Sequence, residues 1–251
     1  MKYKEFLNEI EKNNNDYISK QQLQAIFNEV YNNTTLKTFQ NAIAILKNEQ
    51  KISSINDDYY SIVRKKFYEF KDNNETKKIH NIINQEYPNI NFIVWNTGVI
   101  NEFTLHYSMN DYIIVETEKV SIELIVNLLK EKFLKKYTVI TEEILNSNRE
   151  MYSNEEKMII VRSLHVKSPL INKNKKSMIS IEKIMLDLYK DELYIQYQGR
   201  ELKIIYENIF EKYEINFKRL LGYVKYRVNE KEYKVFLDSI DIPNKYKLKE
   251  E

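Results

Sequence analysis

The sequence has no cysteine and, in 251 residues, only three glycines, three prolines, three histidines and one tryptophan. Absence of cysteine excludes disulfides, thiolate metal sites and thiol nucleophiles. His80, His106 and His165 lie far apart and form no ligand-spaced pair. Gly98, Gly199 and Gly222 are followed by neither Ser nor Lys-Ser/Thr, so neither a P-loop nor the Gly-Ser turn of a nucleotidyltransferase is present. No 18-residue apolar run occurs, which argues against a membrane-spanning helix and against a membrane partner. Charge of one sign is also lacking: 39 basic residues face 37 acidic ones, a formal net charge of +2. That balance argues against a uniformly basic scaffold and leaves room for a locally basic face.

What is present suffices for one or two packed domains, since 43% of residues are apolar and 13% aromatic. The opening residues, Met1 to Phe6, are charged and helical in pattern, with no signal-peptide core. A cytoplasmic protein is therefore expected.

Three amphipathic stretches come first, Tyr3–Ile10, Leu23–Val30 and Leu36–Leu46. Two short apolar runs follow, Ile52–Ile55 and Tyr59–Val63, split by Asn56-Asp57-Asp58. Three helices and a hairpin within about 65 residues is the usual size of a winged helix-turn-helix. Ser19 is placed to cap the second helix, and Thr34 or Thr35 the third. The buried side of the third helix is expected to be Leu36, Phe39, Ile43 and Leu46. Its outer side, Lys37, Thr38, Gln40, Asn41 and Lys47, has the residue types that read base edges. Lys20, Gln21, Arg64, Lys65 and Lys66 are the expected phosphate contacts, with Thr34 and Thr35 beside the groove. Asp57 and Asp58 at the hairpin turn would repel phosphate. Through Phe70 there are ten basic and nine acidic residues, weak electrostatics for a lone binder. Dimerisation on an inverted repeat of double-stranded DNA would double the contacts. The same small module also serves elsewhere as a protein-docking unit.

Lys71–Thr76 reads as a polar linker. Beyond it the sequence predicts a helix at Lys77–Glu86 and strands at Asn91–Trp95, Tyr112–Glu116, Tyr137–Thr141 and Met158–Arg162. Helices are predicted at Thr97–Leu105 and Ser121–Leu134. From Ser180 the pattern is helical, through Leu202–Tyr213, Phe217–Arg227 and Glu230–Leu237, with Lys245–Glu251 expected to fray. The expected fold class is α+β: an N-terminal winged helix-turn-helix over residues 1–70, then a mixed α/β domain over 77–251 with a helical C-terminal tail.

Three motifs carry a resemblance. They are the strand-to-helix step Trp95-Asn96-Thr97, the run Ser180-Ile181-Glu182-Lys183-Ile184-Met185-Leu186-Asp187-Leu188, and the start of the tail, Gln198-Gly199-Arg200-Glu201-Leu202, continued by Ile209–Asn216. With these the chain resembles the antitoxins of type IV toxin–antitoxin and abortive-infection (phage defence) systems, the AbiEi-like group. That family's usual form of the second motif is Pro-Ser-x-Glu-Lys-x-Leu-x-Asp-Leu; this chain has Ile179 for the Pro and Met185 for the first Leu. The resemblance implies a transcriptional repressor of its own operon that counters a nucleotidyltransferase toxin, directly or functionally. It implies no catalytic residue, no metal and no cofactor.

Two other readings stay open. One is a metal-dependent nucleic-acid-processing enzyme with a winged-helix targeting domain, its best carboxylates and base being Glu116, Glu118 and Lys119 at a strand end. The other is a docking adaptor. Glu182 and Asp187, five apart on one helix, point to different faces and read as structural. The lysine-rich stretch Lys167–Lys176, with Lys218, Arg219, Lys225 and Arg227, offers phosphate contacts, an acidic protein's docking patch, or simply solvated charge.

Overall fold

The computed structural model describes residues 2–13, 15–32, 34–106, 111–133, 136–152, 155, 157–173 and 176–247. It divides into two compact units: Met1–Tyr68 together with Ile209–Glu251, and Glu69–Asn208. The sequence reading put the C-terminal helices with the body; residues from Ile209 onward cluster instead with the first 68.

The first unit opens with α1 (Lys4–Glu11), β1 (Tyr17–Ser19), α2 (Lys20–Tyr31), α3 (Leu36–Asn48), β2 (Ile52–Ser54) and β3 (Tyr59–Ile62). Among the described residues the strands form an antiparallel sheet in the order β1-β3-β2, with Ile18 opposite Tyr60 and Ser53 opposite Ser61. The helices bury Phe6, Leu7 and Ile10, then Leu23 and Phe27, then Phe39, Ala42, Ile43 and Leu46. Phe27 is the hub, its ring 5.0 Å from that of Phe6 and 5.6 Å from that of Phe39.

The helix ends follow from local chemistry. Ser19 and Gln22 form a reciprocal capping box at the start of α2. Asn32, at φ 48°, takes the left-handed turn that ends it. Thr35 caps α3 by accepting from the Thr38 N–H. Leu36 departs from expectation: at the first turn it is 55% exposed, because the buried stripe starts at Phe39. Tyr17–Ser19 pairs as a strand, although three residues are too few to show an alternation.

In the second unit α4 (Asn74–Glu86) leads to β4 (Phe92–Asn96), a 3-10 turn (Thr97–Glu102) and β5 (Ile113–Thr117). Then come α5 (Ile122–Phe133), β6 (Thr138–Thr141), α6 (Glu142–Ser147) and β7 (Met158–Ser163). The hairpin β8 (Leu170–Lys173) and β9 (Lys176–Ile179) precedes α7 (Ile181–Lys190), a second 3-10 turn (Glu192–Tyr197) and α8 (Arg200–Lys212). Among the described residues the main sheet has the order β4-β5-β7-β6, antiparallel at β4/β5 and parallel thereafter.

Side chains alternate across this sheet. Val94, Ile113, Val115, Ile159 and Val161 join Ile79 and Ile83 of α4 and Ile125 and Leu129 of α5 in one core. Trp95, Glu116 and Arg162 are the intervening residues, and all are buried too. Two expectations change here. Lys71–Thr76 is not a free linker, since Asn73 caps α4 and Asp72 accepts hydrogen bonds from Thr76 and Lys176. The lysine-rich stretch is partly the β8/β9 hairpin, with Lys176 paired to Asp72 at 2.6 Å; Asn174 and Lys175 lie outside the described residues.

The chain passes into the first unit at Ile209, within α8, and continues with α9 (Phe217–Arg227), α10 (Glu230–Asp238) and a 3-10 turn (Asn244–Tyr246). Glu214 forms a parallel bridge with Phe67 and donates its N–H to the Lys66 carbonyl at 2.9 Å. Its buried carboxylate accepts from Ser61 of β3 and from Lys245. Lys245, expected to fray, is only 6% exposed.

Candidate nucleic-acid interface

The outer face of α3 is open. Lys37, Gln40, Asn41, Ala44, Lys47 and Asn48 are all exposed, and their spacing of three, four and seven puts them on one stripe. Small Ala44 in the middle lets its longer neighbours project past it. Five of the six, all but Ala44, carry amide or ammonium donors that match base edges and phosphates. Thr38 does not stand with them: it is half-buried and its hydroxyl is 2.9 Å from that of Thr35, within the helix cap. Thr34 is half-buried as well.

At the start of α2, Lys20 and Gln21 are exposed, and the Lys20 N–H donates to the Asp58 carbonyl at 2.7 Å. That bond ties the helix to the β2–β3 turn, which Asn56 closes by accepting from the Asp58 and Tyr59 N–H groups. The three basic residues after the hairpin are more engaged than their sequence suggests. Arg64 is half-exposed and pairs with Asp16 at 3.2 Å. Lys65 is half-buried and donates to the Phe210 carbonyl at 2.8 Å, in the last turn of α8. Lys66 is exposed and rests 5.4 Å from the Tyr213 ring. Lys65 thus already has a carbonyl partner within the first unit, and Arg64 must leave Asp16 to reach a phosphate.

The turn's acidic charge is answered from an element that local sequence does not connect to it. Lys218 of α9 pairs with Asp57, and this contact is the main reason the Asp57 carboxyl titrates below its ordinary range. Lys20 and Lys225 lie near enough to add to the effect. Lys47, at the end of α3, has its ammonium pKa lowered first by partial burial and then by Lys218.

Carboxylates of the second unit are used internally. Glu116 of β5 and Arg162 of β7 are register partners, joined at 3.1 Å with essentially no exposure. Lys183 of α7 meets the other Glu116 oxygen at 2.8 Å and also pairs with Asp187, four residues on. Arg162 further binds Asp187 and Asp191, both at 2.8 Å, and Glu142 at 3.3 Å. The Trp95 indole N–H donates to Glu116 at 3.0 Å. Burial pushes the Glu116 pKa up, but Arg162 and Lys183 outweigh it and hold it at about 2. For Asp187 burial prevails over Lys183 and Arg162, and its pKa is raised.

This geometry places Glu116 inside the protein, away from any metal or substrate in solvent, while Glu118 and Lys119 are exposed. Among the described residues no group of three His, Asp or Glu side chains is arranged to hold a metal ion. Glu182, in the first turn of α7, is only 2% exposed and so is buried. His80 packs against the Phe92 ring at 5.0 Å, and burial lowers its pKa. The network could be glimpsed beforehand in two places: an arginine ending the apolar run Met158–Val161, and the i,i+4 pair Lys183/Asp187. Nothing local joined them.

Residues 38–242 match the family of unknown function DUF6577, and the chain belongs to that family. The match starts within α3 and reaches past α10, so it takes in parts of both units. No curated protein and no solved structure gives a significant match. Among the described residues no helix is long and apolar enough to cross a membrane.

Proposed function

We propose that this protein is a DNA-binding autorepressor and antitoxin of a type IV toxin–antitoxin operon, with α1–β3 serving as a winged helix-turn-helix. The observation that carries the DNA-binding half is the open stripe Lys37, Gln40, Asn41, Ala44, Lys47 and Asn48, on the third helix and directly before a hairpin. The order α1-β1-α2-α3-β2-β3, with the sheet β1-β3-β2, supports the same reading. In it α3 enters the major groove, and Lys37, Gln40 and Asn41 read bases. Lys20, Gln21 and Lys66 are the basic or polar contacts left free to meet phosphates. The near-zero net charge favours a dimer on an inverted repeat.

The antitoxin half rests on the resemblance in Trp95-Asn96-Thr97, Ser180–Leu188 and Gln198–Leu202. These motifs sit where the fold needs them: Asn96 accepts from the Gly98 N–H at 2.7 Å to start the 3-10 turn, and Ser180 caps α7. In this reading the second unit acts against a nucleotidyltransferase encoded beside it.

The test has two arms. Full-length protein is titrated against duplexes from the region upstream of its own gene and against unrelated duplexes, in a band-shift assay at defined salt. Retarded, sequence-selective complexes are expected; equal or absent binding removes the repressor reading. Separately, co-expression with the adjacent nucleotidyltransferase is expected to restore growth, and continued toxicity removes the antitoxin reading.

A further inference from the structure

The first unit takes one helix from the far end of the chain and sets it against the hairpin. Helix α9 lies on β2, the strand that leaves α3. Lys218 and Lys225, seven residues apart and both exposed, fall on one side of α9. Lys218 reaches the β2–β3 turn and pairs with Asp57. Lys20 is bonded to the same turn through its backbone. Lys218, Lys225 and Lys20 therefore lie about a single turn carboxylate, Asp57, and Lys47 of α3 lies near Lys218.

Gly222 sits between the two lysines on the same side of α9. It is exposed, and a Cβ built there meets nothing within 4 Å. Its backbone is ordinary helix, so no positive φ requires glycine. Glycine in mid-helix weakens the helix relative to almost any other residue. What it does provide is a bare stretch of backbone between two ammonium groups, where a partner's surface can come close.

We infer that α9 is a second phosphate-gripping ridge, with Lys218 and Lys225 clasping the backbone of a DNA duplex on either side of Gly222 while α3 reads its groove. Polyanion binding suits the cluster, because several ammonium groups gathered about one carboxylate leave net positive charge that a dense negative charge can neutralise. The inference rests on reading α1–β3 as a duplex-binding module, and it names which further element holds the same duplex.

The experiment uses the full chain and fluorescence anisotropy, with an upstream duplex and an unrelated duplex of equal length, across a salt series. Lys218→Ala/Lys225→Ala is expected to weaken binding to both duplexes alike, by about tenfold at low salt. Its slope of log affinity against log salt should shrink by about two, one for each lost phosphate contact. Lys218→Arg/Lys225→Arg should bind as the parent does. Gly222→Gln should melt higher, from better helix propensity, yet bind more weakly, a combination that misfolding does not give. If the parent protein binds neither duplex, the module reading itself fails. If the parent binds and the double-alanine variant keeps its affinity and slope, the α9 ridge alone is refuted, and an acidic protein becomes the partner that fits these lysines.

Discussion

Glu214 holds the Lys245 ammonium with both carboxylate oxygens, at 2.8 and 2.9 Å, while Lys245 also donates to Ser61 of β3 at 2.8 Å. Tyr246 adds its hydroxyl to the same carboxylate at 3.0 Å. Three segments far apart in sequence thus share one buried charge pair. Lys245→Ala leaves that carboxylate buried without its cation, and a loss of about 3–5 kcal/mol is expected. Glu214→Leu/Lys245→Met, which removes both charges, should recover much of it. Chemical denaturation of the three proteins decides; equal stability of Lys245→Ala and the parent would show that the pair is not holding the segments together.

On α3, Lys37→Ala/Gln40→Ala should abolish preference for the upstream duplex with little change in Tm, because both side chains are exposed. Each lost base contact is expected to cost about 1–3 kcal/mol of discrimination. Undiminished selectivity in a competition band-shift would remove α3 as the reading helix.

Asp57→Asn should tighten duplex binding. It deletes the acid nearest the proposed phosphate path and frees Lys218 from its partner. The pair is largely exposed, so Tm should hardly move. Anisotropy at two salt concentrations checks this; weaker binding by the variant would mean that Asp57 is needed to position Lys218.

Acid should unfold the second unit through Glu116. Its native pKa of about 2 lies below the ordinary 4.5, so its ionised form stabilises the fold fully above that ordinary value. The contribution fades as pH drops from there toward 2. Asp187, shifted upward, works in the opposite sense and offsets part of the loss. The only tryptophan, Trp95, donates to Glu116 and makes a local reporter. In Glu116→Gln the fluorescence-monitored acid limb should flatten over that range; an unchanged limb would assign acid sensitivity elsewhere.

Arg162→Met should cost about 3–5 kcal/mol, since it leaves Lys183 to answer two buried carboxylates, Glu116 and Asp187, that Arg162 had shared with it. A thermal melt followed at Trp95 measures it. A variant as stable as the parent would show that the buried charges are dispensable.

Much of the fold could be read from local pattern. The stripe of α3, the caps Ser19, Thr35, Thr141 and Ser180, and the strands around Phe92–Asn96 and Ile113–Thr117 each follow from periodicity or a single side-chain bond. Other features depend on partners distant in the chain. Lys65 looks like a phosphate ligand until Phe210 supplies a carbonyl for it. In sequence Lys167–Lys176 shows only a lysine-rich run, because its lysines mask the hairpin that Asp72 and Lys176 help to anchor. That Ile209 onward belongs with the first 68 residues turns on Glu214, Lys245 and Ser61, and no spacing rule links those three.

The interleaved order of the units has a bearing on synthesis. A ribosome completes α3 early, then makes the whole of Glu69–Asn208 before Glu214, Lys218 and Lys245 emerge. A nascent or prematurely terminated chain therefore carries α3 but lacks the charge pair under β3 and the α9 lysine beside the hairpin. If the proposed repressor reading holds, competence at an operator would then arrive only with a finished polypeptide, coupling repression to full-length product rather than to translation initiated.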